Sequence, residues 1–344
     1  MQLTALPMAV QATTDGRLAR GSGVAQRVCV DAGDAPPLPW ELVIKLDVQV
    51  HIHGSICALA TPFDEQGDLD LEAFERLIEQ QLAGGTQALV VAGSTGEAHL
   101  LRDHEYERLL QCAVARVDGR VPVIAGCGSA STEASLAGCR KAASLGADAA
   151  LVVTPYYVRP DQRGLQRHFT ALADAVELPL ILYNVPARTG CDLQPETVAA
   201  LREHPRIIGI KEAVADRVRI EAMARLARED FVYLSGDDGS AMEAMLAGAA
   251  GTVSVVANVV PRLFRELCDA CRNGERGSAG EAFERLRPLL DALACAPNPV
   301  PIKAALAALQ ICREQVRLPL VPLPEGEGRV RLQRIVTDLA GNPD

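Results

Sequence analysis

The sequence predicts a (β/α)8 TIM barrel of the α/β class, followed by a C-terminal helical appendage. Apolar runs of strand length alternate with segments whose apolar residues recur three and four positions apart, as at Leu71, Phe74, Ile78 and Leu82. The runs are continuously apolar, which is typical of parallel strands buried on both faces. Eight such runs in 344 residues favour a closed barrel over an open doubly wound sheet.

The predicted strands begin after Gly54, and several of the helices between them end in glycine. Gly84-Gly85, Gly146 and Gly248 each stand just before the next apolar run, where a helix end often requires a left-handed residue. The predicted strands are residues 56–59, 88–92, 121–125, 149–153, 180–182, 207–210, 231–234 and 252–256.

Three regions follow from the composition along the chain. Residues 1–50 contain Gly, Pro, Arg and Asp without a sustained period, so we expect a disordered N-terminal extension. They lack the apolar stretch of a signal peptide. Residues 54–260 form the predicted barrel, and residues 261–344 a C-terminal helical region with a polar tail.

Composition argues against several classes of function. The net charge is −10 and basic residues are not clustered, which argues against nucleic-acid binding. The longest apolar run, near residues 246–260, is broken by Gly and Asn, so we predict no membrane span. The ten cysteines are scattered, as expected for reduced thiols in a cytoplasmic protein. Cys268 and Cys271 have no second pair at zinc spacing, which favours packing thiols.

Polar residues with reactive groups stand at the ends of the predicted strands, where the active sites of such barrels lie. Three of the five tyrosines are there, together with Ser94, Thr95 and Lys211; these tyrosines are Tyr156, Tyr157 and Tyr183. Asp237-Asp238 could suggest a metal site, but no third ligand stands at suitable spacing, so a loop role is favoured. We predict neither a metal nor another cofactor.

Lys211 ends the sixth run, and two interpretations of it are open. A lysine at a strand end can extend its amine into water. A buried lysine, in contrast, is costly to keep charged, and its neutral amine is a nucleophile. A phenol linked to hydroxyls can move the protons that imine chemistry requires. The neighbouring tyrosines and hydroxyls therefore favour covalent chemistry at Lys211.

Six motifs stand at the ends of the predicted strands and in the C-terminal region. They are G-S-T-G-E at 93–97, T-P-Y-Y at 154–157, L-Y-N-V-P-A-R-T-G at 182–190, G-I-K-E-A at 209–213, L-S-G-D-D at 234–238 and A-P-N-P-V-P-I-K at 296–303. Together they resemble the dihydrodipicolinate synthase family, pyruvate-dependent class I aldolases of the N-acetylneuraminate lyase superfamily. The resemblance extends from residue 54 to about residue 322.

The resemblance implies a carbon–oxygen lyase that condenses pyruvate with L-aspartate 4-semialdehyde to 4-hydroxy-tetrahydrodipicolinate, in lysine and diaminopimelate biosynthesis. Lys211 would form a Schiff base with pyruvate, and Tyr183 would move protons to and from it. Ser94 and Tyr157 would complete a hydroxyl relay. Tyr157 would enter from a neighbouring subunit across the tight dimer of a homotetramer built as a dimer of dimers.

The resemblance also implies residues for substrate binding. Thr95 and the backbone of Val253 would hold pyruvate, and Arg188 would bind the carboxylate of the semialdehyde. Arg188 separates this reaction from the alternative, another pyruvate aldolase acting on a sugar acid or a 4-hydroxy-2-oxo acid. A catalytically silent barrel is the second alternative. Ser94 departs from the family, which usually has threonine there; serine keeps the hydroxyl but loses the methyl that restricts its rotamer.

In lysine-inhibited members the effector binds beside the residue corresponding to Tyr156. The polar residues that hold the effector form a set that we call the effector ring. The asparagine and the glutamate that the family has in this set are Ala130 and Ala134 in this chain, and an alanine side chain cannot accept a hydrogen bond. We therefore expect weak inhibition by lysine or none. The positions that the resemblance assigns to the effector ring are Ala98, His99, Asp103, Tyr106, Ala130 and Ala134.

Overall fold

The predicted barrel is present in the computed structural model, which describes residues 50–341, with side chains up to residue 339. Eight parallel strands pair in chain order, and the eighth pairs with the first to close the barrel. They are β1 Gly54–Ala58, β2 Ala88–Val91, β3 Val123–Gly126, β4 Ala149–Val153, β5 Leu180–Asn184, β6 Ile207–Glu212, β7 Val232–Ser235 and β8 Gly251–Ser254. The extension predicted for residues 1–50 lies outside the described residues except for Val50.

Helices follow the strands in the order that the sequence predicts. The described helices are α1 Leu71–Ala83, α2 Asp103–Val117, α3 Thr132–Ser144, α4 Gln162–Ala175, α5 Pro186–Thr189, α6 Pro195–Leu201, α7 Arg217–Ala224, α8 Ala241–Ala247, α9 Pro261–Arg272, α10 Arg276–Leu293, α11 Val300–Ala308 and α12 Glu327–Gly341. Within residues 50–341, none of them is long and apolar enough to cross a membrane.

Side chains alternate between two cores because successive residues of a strand face opposite sides of the sheet. Inward residues such as Ile56, Ile181 and Val253 fill the barrel. Outward residues pack against the surrounding helices, which contribute Phe74 and Phe169 among others. This alternation decides which strand-end residues face the barrel mouth and which face the helices.

The C-terminal helices stay close to the barrel. Helix α9 follows β8 and packs against both α8 and β1, so it completes the helical layer around the barrel. It belongs to the segment 261–344 that the sequence analysis grouped as the C-terminal region. Helix α10 packs on α9, and α12 packs on α10 and α11.

Two differences from the predicted strand ends have clear causes. Strand β8 ends at Ser254 rather than at residue 256, because the Asp238 carboxylate accepts hydrogen bonds from the backbone N–H groups of Val255 and Val256, both at 2.9 Å. Strands β5 and β6 instead continue two residues past their apolar runs, through Asn184 and Glu212. The side chains of these two residues bind each other, so they can remain buried at the end of the sheet.

A buried histidine joins α3 and α4. His168 is 5% exposed, and its Nδ1 lies 2.9 Å from Thr132 Oγ1, while its Nε2 has no hydrogen-bond partner in the described part of the chain. Burial lowers the pKa of His168 from 6.5 to about 4. The unfolded chain therefore binds a proton in the range between these values that the folded chain does not bind, and stability falls as the pH drops from about 6.5 to about 4.

We predict that His168→Gln will reduce the acid sensitivity of the fold. The free energy of unfolding from urea titrations at pH 7 and pH 4.5 should fall by about 2 kcal/mol less in the variant than in the unmodified chain. The exposed His104 provides the control, and His104→Gln should leave the difference between the two pH values unchanged. An equal acid loss in His168→Gln and the unmodified chain would contradict this account.

Candidate active site

Lys211 and Tyr183 are partners on neighbouring strands at the mouth of the barrel. Each is the last residue but one of its strand, β6 and β5 respectively, and the two are opposite each other in the register. Lys211 is 6% exposed and Tyr183 7% exposed. The Lys211 Nζ lies 4.2 Å from the centroid of the Tyr183 ring. The amine therefore lies on the face of a phenol.

Lys211 differs from the other lysines in what surrounds its amine. The chain contains Lys45, Lys141, Lys211 and Lys303, and the last three lie in the described part. The Nζ atoms of Lys141 and Lys303 each lie 2.8 Å from a glutamate oxygen. Within residues 50–341, the Lys211 amine makes neither an ion pair nor a hydrogen bond, and it lies over the Tyr183 ring. An amine that no carboxylate holds is available as a nucleophile.

A cavity of about 330 Å³ opens at the same end of the barrel. Ser94, Tyr156, Arg188 and Asn298 are among its lining residues. A smaller cavity next to it is lined by Ser94 and Tyr183. Ser94 therefore lies between the larger space and the phenol, which is where a relay hydroxyl would be required.

Thr95 and Arg188 are connected by a residue to which the sequence analysis gave no role. The Asn298 side chain donates a hydrogen bond from Nδ2 to Thr95 Oγ1 at 3.0 Å, and its backbone oxygen accepts one from Arg188 at 3.1 Å. Because the amide nitrogen only donates, the Thr95 oxygen accepts, and its own proton is left for an acceptor in the site. The position between two prolines in A-P-N-P-V-P-I-K was the available signal.

A buried ion pair supports the loop that carries Ser94 and Thr95. Glu97 at the end of this loop pairs with Lys303 of α11 at 2.8 Å, and both side chains are fully buried. Lys303 also donates to the Thr61 backbone oxygen at 2.8 Å. Burial lowers the pKa of Lys303, and the Glu97 charge opposes that shift. Glu97 therefore has a structural role in this loop.

The remaining predicted site residues occupy different places. Val253 is buried on the inner face of β8. Tyr157 is 90% exposed, with a left-handed backbone at φ 72° and its N–H bonded to the Thr189 oxygen at 3.1 Å. The single chain thus brings Lys211, Tyr183 and Ser94 to one end of the barrel and leaves the Tyr157 ring on the surface.

The charged loop after β7 has a structural role. Asp237 Oδ2 accepts hydrogen bonds from the Ser240 N–H at 2.8 Å and from its hydroxyl at 2.9 Å. Asp238 binds the two backbone N–H groups that follow β8. The loop role predicted for these two residues agrees with this geometry.

His99 lines the cavity and has a lowered pKa. Desolvation and, after it, the Arg188 guanidinium lower the pKa of His99, whose ring lies 4.7 Å from that of Tyr156. The imidazole is therefore neutral at pH 7, and Arg188 is the cationic side chain that faces the cavity among its lining residues. A substrate carboxylate would find its counter-charge there.

Comparison with known proteins places the chain in a family. A model described as the dihydrodipicolinate synthetase family matches residues 51–339. The 4-hydroxy-tetrahydrodipicolinate synthase of Xanthomonas axonopodis pv. citri is 55% identical over 272 residues, covering 79% of this chain and 90% of that protein. The chain belongs to the dihydrodipicolinate synthetase family. The protein of the same name from Pseudomonas aeruginosa is 46% identical over 269 residues, covering 78% and 92%.

Solved structures of dihydrodipicolinate synthases share the fold. The Acinetobacter baumannii protein, described as chloride-inhibited and complexed with pyruvate, has a TM-score of 0.82 at 40% identity, covering 84% of this chain and 99% of that one. A protein described as the first monomeric variant has a TM-score of 0.81 at 41% identity, covering 84% and 97%. The resemblance stated from the six motifs is thereby confirmed.

We predict that Gly236→Ala will displace the Lys211 amine. A Cβ atom at residue 236 would lie 3.0 Å from both Cγ and Cε of Lys211 and 3.2 Å from the Ala213 Cβ, so the lysine side chain has to move. The displacement required is a few tenths of an ångström, and a misplacement of about 1 Å can cost about 100-fold in rate. Borohydride trapping of pyruvate should therefore slow by about threefold to tenfold.

Gly239 in the same loop is the matched control, since a Cβ there would meet only Asp237 Oδ2 at 3.4 Å. Gly239→Ala should trap pyruvate at the unmodified rate. If Gly236→Ala also traps at that rate, the packing of residue 236 does not set the position of Lys211.

Proposed function

We propose that this chain condenses pyruvate with L-aspartate 4-semialdehyde, through a Schiff base on Lys211, to give 4-hydroxy-tetrahydrodipicolinate for lysine and diaminopimelate biosynthesis. The observation that carries the proposal is a buried lysine amine that has no acidic partner among residues 50–341 and lies 4.2 Å from the centroid of the Tyr183 ring, at the mouth of the barrel. The relatives named 4-hydroxy-tetrahydrodipicolinate synthase support it.

The first half of the reaction takes place on Lys211. Its Nζ attacks the 2-oxo carbon of pyruvate, and the oxygen leaves as water when the imine forms. Tyr183 delivers the proton that the departing oxygen requires, since its ring lies against the amine. Thr95 and the backbone of Val253 hold the pyruvate carboxylate, with the Thr95 hydroxyl oriented by its bond from Asn298.

The second half uses the enamine. Loss of a proton from the pyruvate methyl carbon gives an enamine, whose carbon attacks the aldehyde of the second substrate. The amine of that substrate then displaces Lys211 from the imine carbon, which closes the ring and regenerates the enzyme. Ser94 and the Tyr157 of a second copy move the protons together with Tyr183. Arg188 holds the carboxylate of the semialdehyde at the cavity mouth. The Tyr157 ring is exposed in its own chain, so in this proposal it acts in the active site of a second chain.

The oligomer and the compartment are part of the same proposal. We infer a homotetramer built as a dimer of dimers, with Tyr157 exchanged across the tight dimer, because its ring is 90% exposed in one chain. One of the similar solved structures is described as a monomeric variant, so the mass of this protein in solution should be measured directly. We place the enzyme in the cytoplasm, which suits the free thiols of the described cysteines.

Lys211→Ala should abolish covalent trapping of pyruvate while the barrel stays folded. The residue lies at a strand end, and removing its side chain breaks no hydrogen bond or ion pair in the described part. Mass spectrometry after borohydride reduction with pyruvate provides the measurement, and circular dichroism shows that the variant is folded. A folded Lys211→Ala that still gains the pyruvate adduct would show that another residue is the nucleophile. Parallel assays with aspartate semialdehyde and with sugar-derived aldehydes separate the proposed reaction from the related aldolases.

The residues around the predicted effector ring are poorly suited to a free lysine ligand. Asp103 is the carboxylate at these positions, and its solvated side chain lies 3.8 Å from Lys141 Nζ, so an ammonium of the chain already lies beside it. The Tyr106 hydroxyl contacts Cys127 Sγ at 3.6 Å. Ala130 and Ala134 offer no side-chain acceptor. A bound lysine would therefore find no carboxylate free to pair with its ammonium at these positions.

We expect the enzyme to be insensitive or only weakly sensitive to L-lysine. Loss of the counter-charge of a desolvated ammonium costs about 2–5 kcal/mol. At about 1.4 kcal/mol per tenfold change, binding weakens by more than an order of magnitude. Inhibition curves from micromolar to millimolar L-lysine test this directly, and strong sub-millimolar inhibition would contradict it. Ala134→Glu, which returns a carboxylate to the ring, should increase sensitivity.

A further inference from the structure

Four polar side chains form a cluster on the helix side of the sheet, behind Lys211 and Tyr183. We call this cluster, Asn184, Asp192, Glu212 and Arg219, the strand-end clamp. The Asn184 Nδ2 donates to Asp192 Oδ1 at 2.7 Å and to both Glu212 carboxylate oxygens at 3.1 Å. Arg219 donates to Asp192 Oδ2 at 2.6 Å and to Glu212 Oε2 at 3.1 Å. One amide and one guanidinium therefore bridge two carboxylates.

The clamp is joined to the strands that carry the reacting groups. Asn184 and Glu212 immediately follow Tyr183 and Lys211, and they are register partners in the same way. Successive side chains of a strand point to opposite faces. Any shift of these strand ends that moves Asn184 relative to Glu212 therefore also moves Tyr183 relative to Lys211 on the other face.

The pairing of β5 with β6 is irregular below this point. Leu180 pairs with Ile207, whereas Ile181 pairs with Gly209, so Ile208 is an extra residue in β6. Such a bulge re-aims the side chains beyond it. If the pairing closed over the bulge, the end of β6 would shift by one residue, and Lys211 would face the helices while Glu212 faced the barrel. Something beyond the bulge has to fix the register.

The clamp is built to resist that shift. The Glu212 side chain is fully buried and that of Arg219 is 10% exposed. Turning Glu212 into the barrel would separate a buried carboxylate from its guanidinium, and an uncompensated buried charge is strongly unfavourable. Backbone hydrogen bonds add to the constraint, since the Val214 N–H donates to Glu212 Oε1 at 2.8 Å and the Leu193 N–H to Asn184 Oδ1 at 2.9 Å.

Helix α7 holds the guanidinium in place from outside the sheet. Asp216 caps α7, and its side chain accepts a hydrogen bond from the Arg219 backbone N–H at 3.0 Å. The Arg219 side chain also reaches the Leu193 backbone oxygen at 3.1 Å. The guanidinium is therefore anchored by a capped helix and by the loop after α5 together.

We propose that the strand-end clamp fixes the register of β5 and β6 beyond the bulge, and that Arg219, Asn184 and Glu212 are thereby positioning residues for the Lys211 amine. The inference rests on the proposed function for its catalytic consequence. Its structural part, the register of the two strands, stands without it.

Two residues on α7 allow a matched comparison. Arg219 binds the clamp, whereas Arg217 forms an exposed ion pair with Glu221 at 2.9 Å. Arg219→Met should slow borohydride trapping at saturating pyruvate by about 100-fold, as expected for a misplaced reacting group. Arg217→Met should change it by less than about twofold, since exposed ion pairs contribute little.

Asn184→Asp tests the same point without removing the arginine. It places a third carboxylate around one guanidinium and removes the amide N–H groups that Asp192 and Glu212 accept. Trapping should slow by at least about tenfold, because the reacting group is misplaced.

Amide hydrogen exchange gives a readout that does not depend on activity. The Ala213 N–H donates to the Asn184 backbone oxygen at 3.0 Å, across the strand ends that the clamp joins. In Arg219→Met this amide should exchange faster, while amides of β1 and β2 on the far side of the barrel keep their protection.

The outcomes separate this proposal from the one on which it rests. If the unmodified chain traps no pyruvate, the proposed function fails, and the exchange rate of Ala213 still decides whether the clamp fixes the strand ends. Trapping at the unmodified rate in folded Arg219→Met would overturn the positioning role. Loss of protection throughout the barrel, with trapping reduced only in proportion to the folded fraction, would also overturn it and leave a general stabilising role.

Discussion

The pairing of β5 with β6 is the contact on which the candidate site depends most. It places Tyr183 opposite Lys211 on the inner face and Asn184 opposite Glu212 on the outer face. The inner pair brings an amine to a phenol, and the outer pair forms a buried polar contact at 3.1 Å. In this register the inner pair and the outer pair lie next to each other along the strands, because consecutive residues of a strand face opposite sides of the sheet.

The C-terminal region contributes to the same end of the barrel. Lys303 of α11 reaches the carboxylate at the end of the 93–97 loop, and Asn298 reaches both Thr95 and Arg188. Arg317 extends the connection with paired hydrogen bonds to Glu105, both at 2.6 Å, which lower the pKa of that carboxyl group to about 2. The segment is therefore a structural part of the site, although it follows the last strand of the barrel.

Sequence reasoning predicted the features that depend on local pattern. Each strand was located to within two residues at its start and at its end, because continuous apolar runs and helix-ending glycines are local signals. The placement of Lys211 and Tyr183 followed from the rule that reactive groups collect at strand ends. The bulge at Ile208 was not predictable in the same way, since it depends on how two strands pair and not on either strand alone.

Contacts between distant residues were also beyond local pattern. Asn298 and Thr95 are 203 positions apart, and the chain gives no periodic sign that they meet. The early end of β8 depends on Asp238, which lies 17 positions before Val255. The role predicted for Tyr157 concerns a second chain, and a contact between two chains leaves no local pattern in the sequence of one.

The account is tested most directly by locating the pyruvate adduct on the unmodified protein. The chain has four lysines, so peptide mapping after borohydride reduction assigns the modified residue without ambiguity. We predict that the adduct forms on Lys211, since the amines of Lys141 and Lys303 are held by glutamates. An adduct on any other lysine, or none at saturating pyruvate, would contradict this.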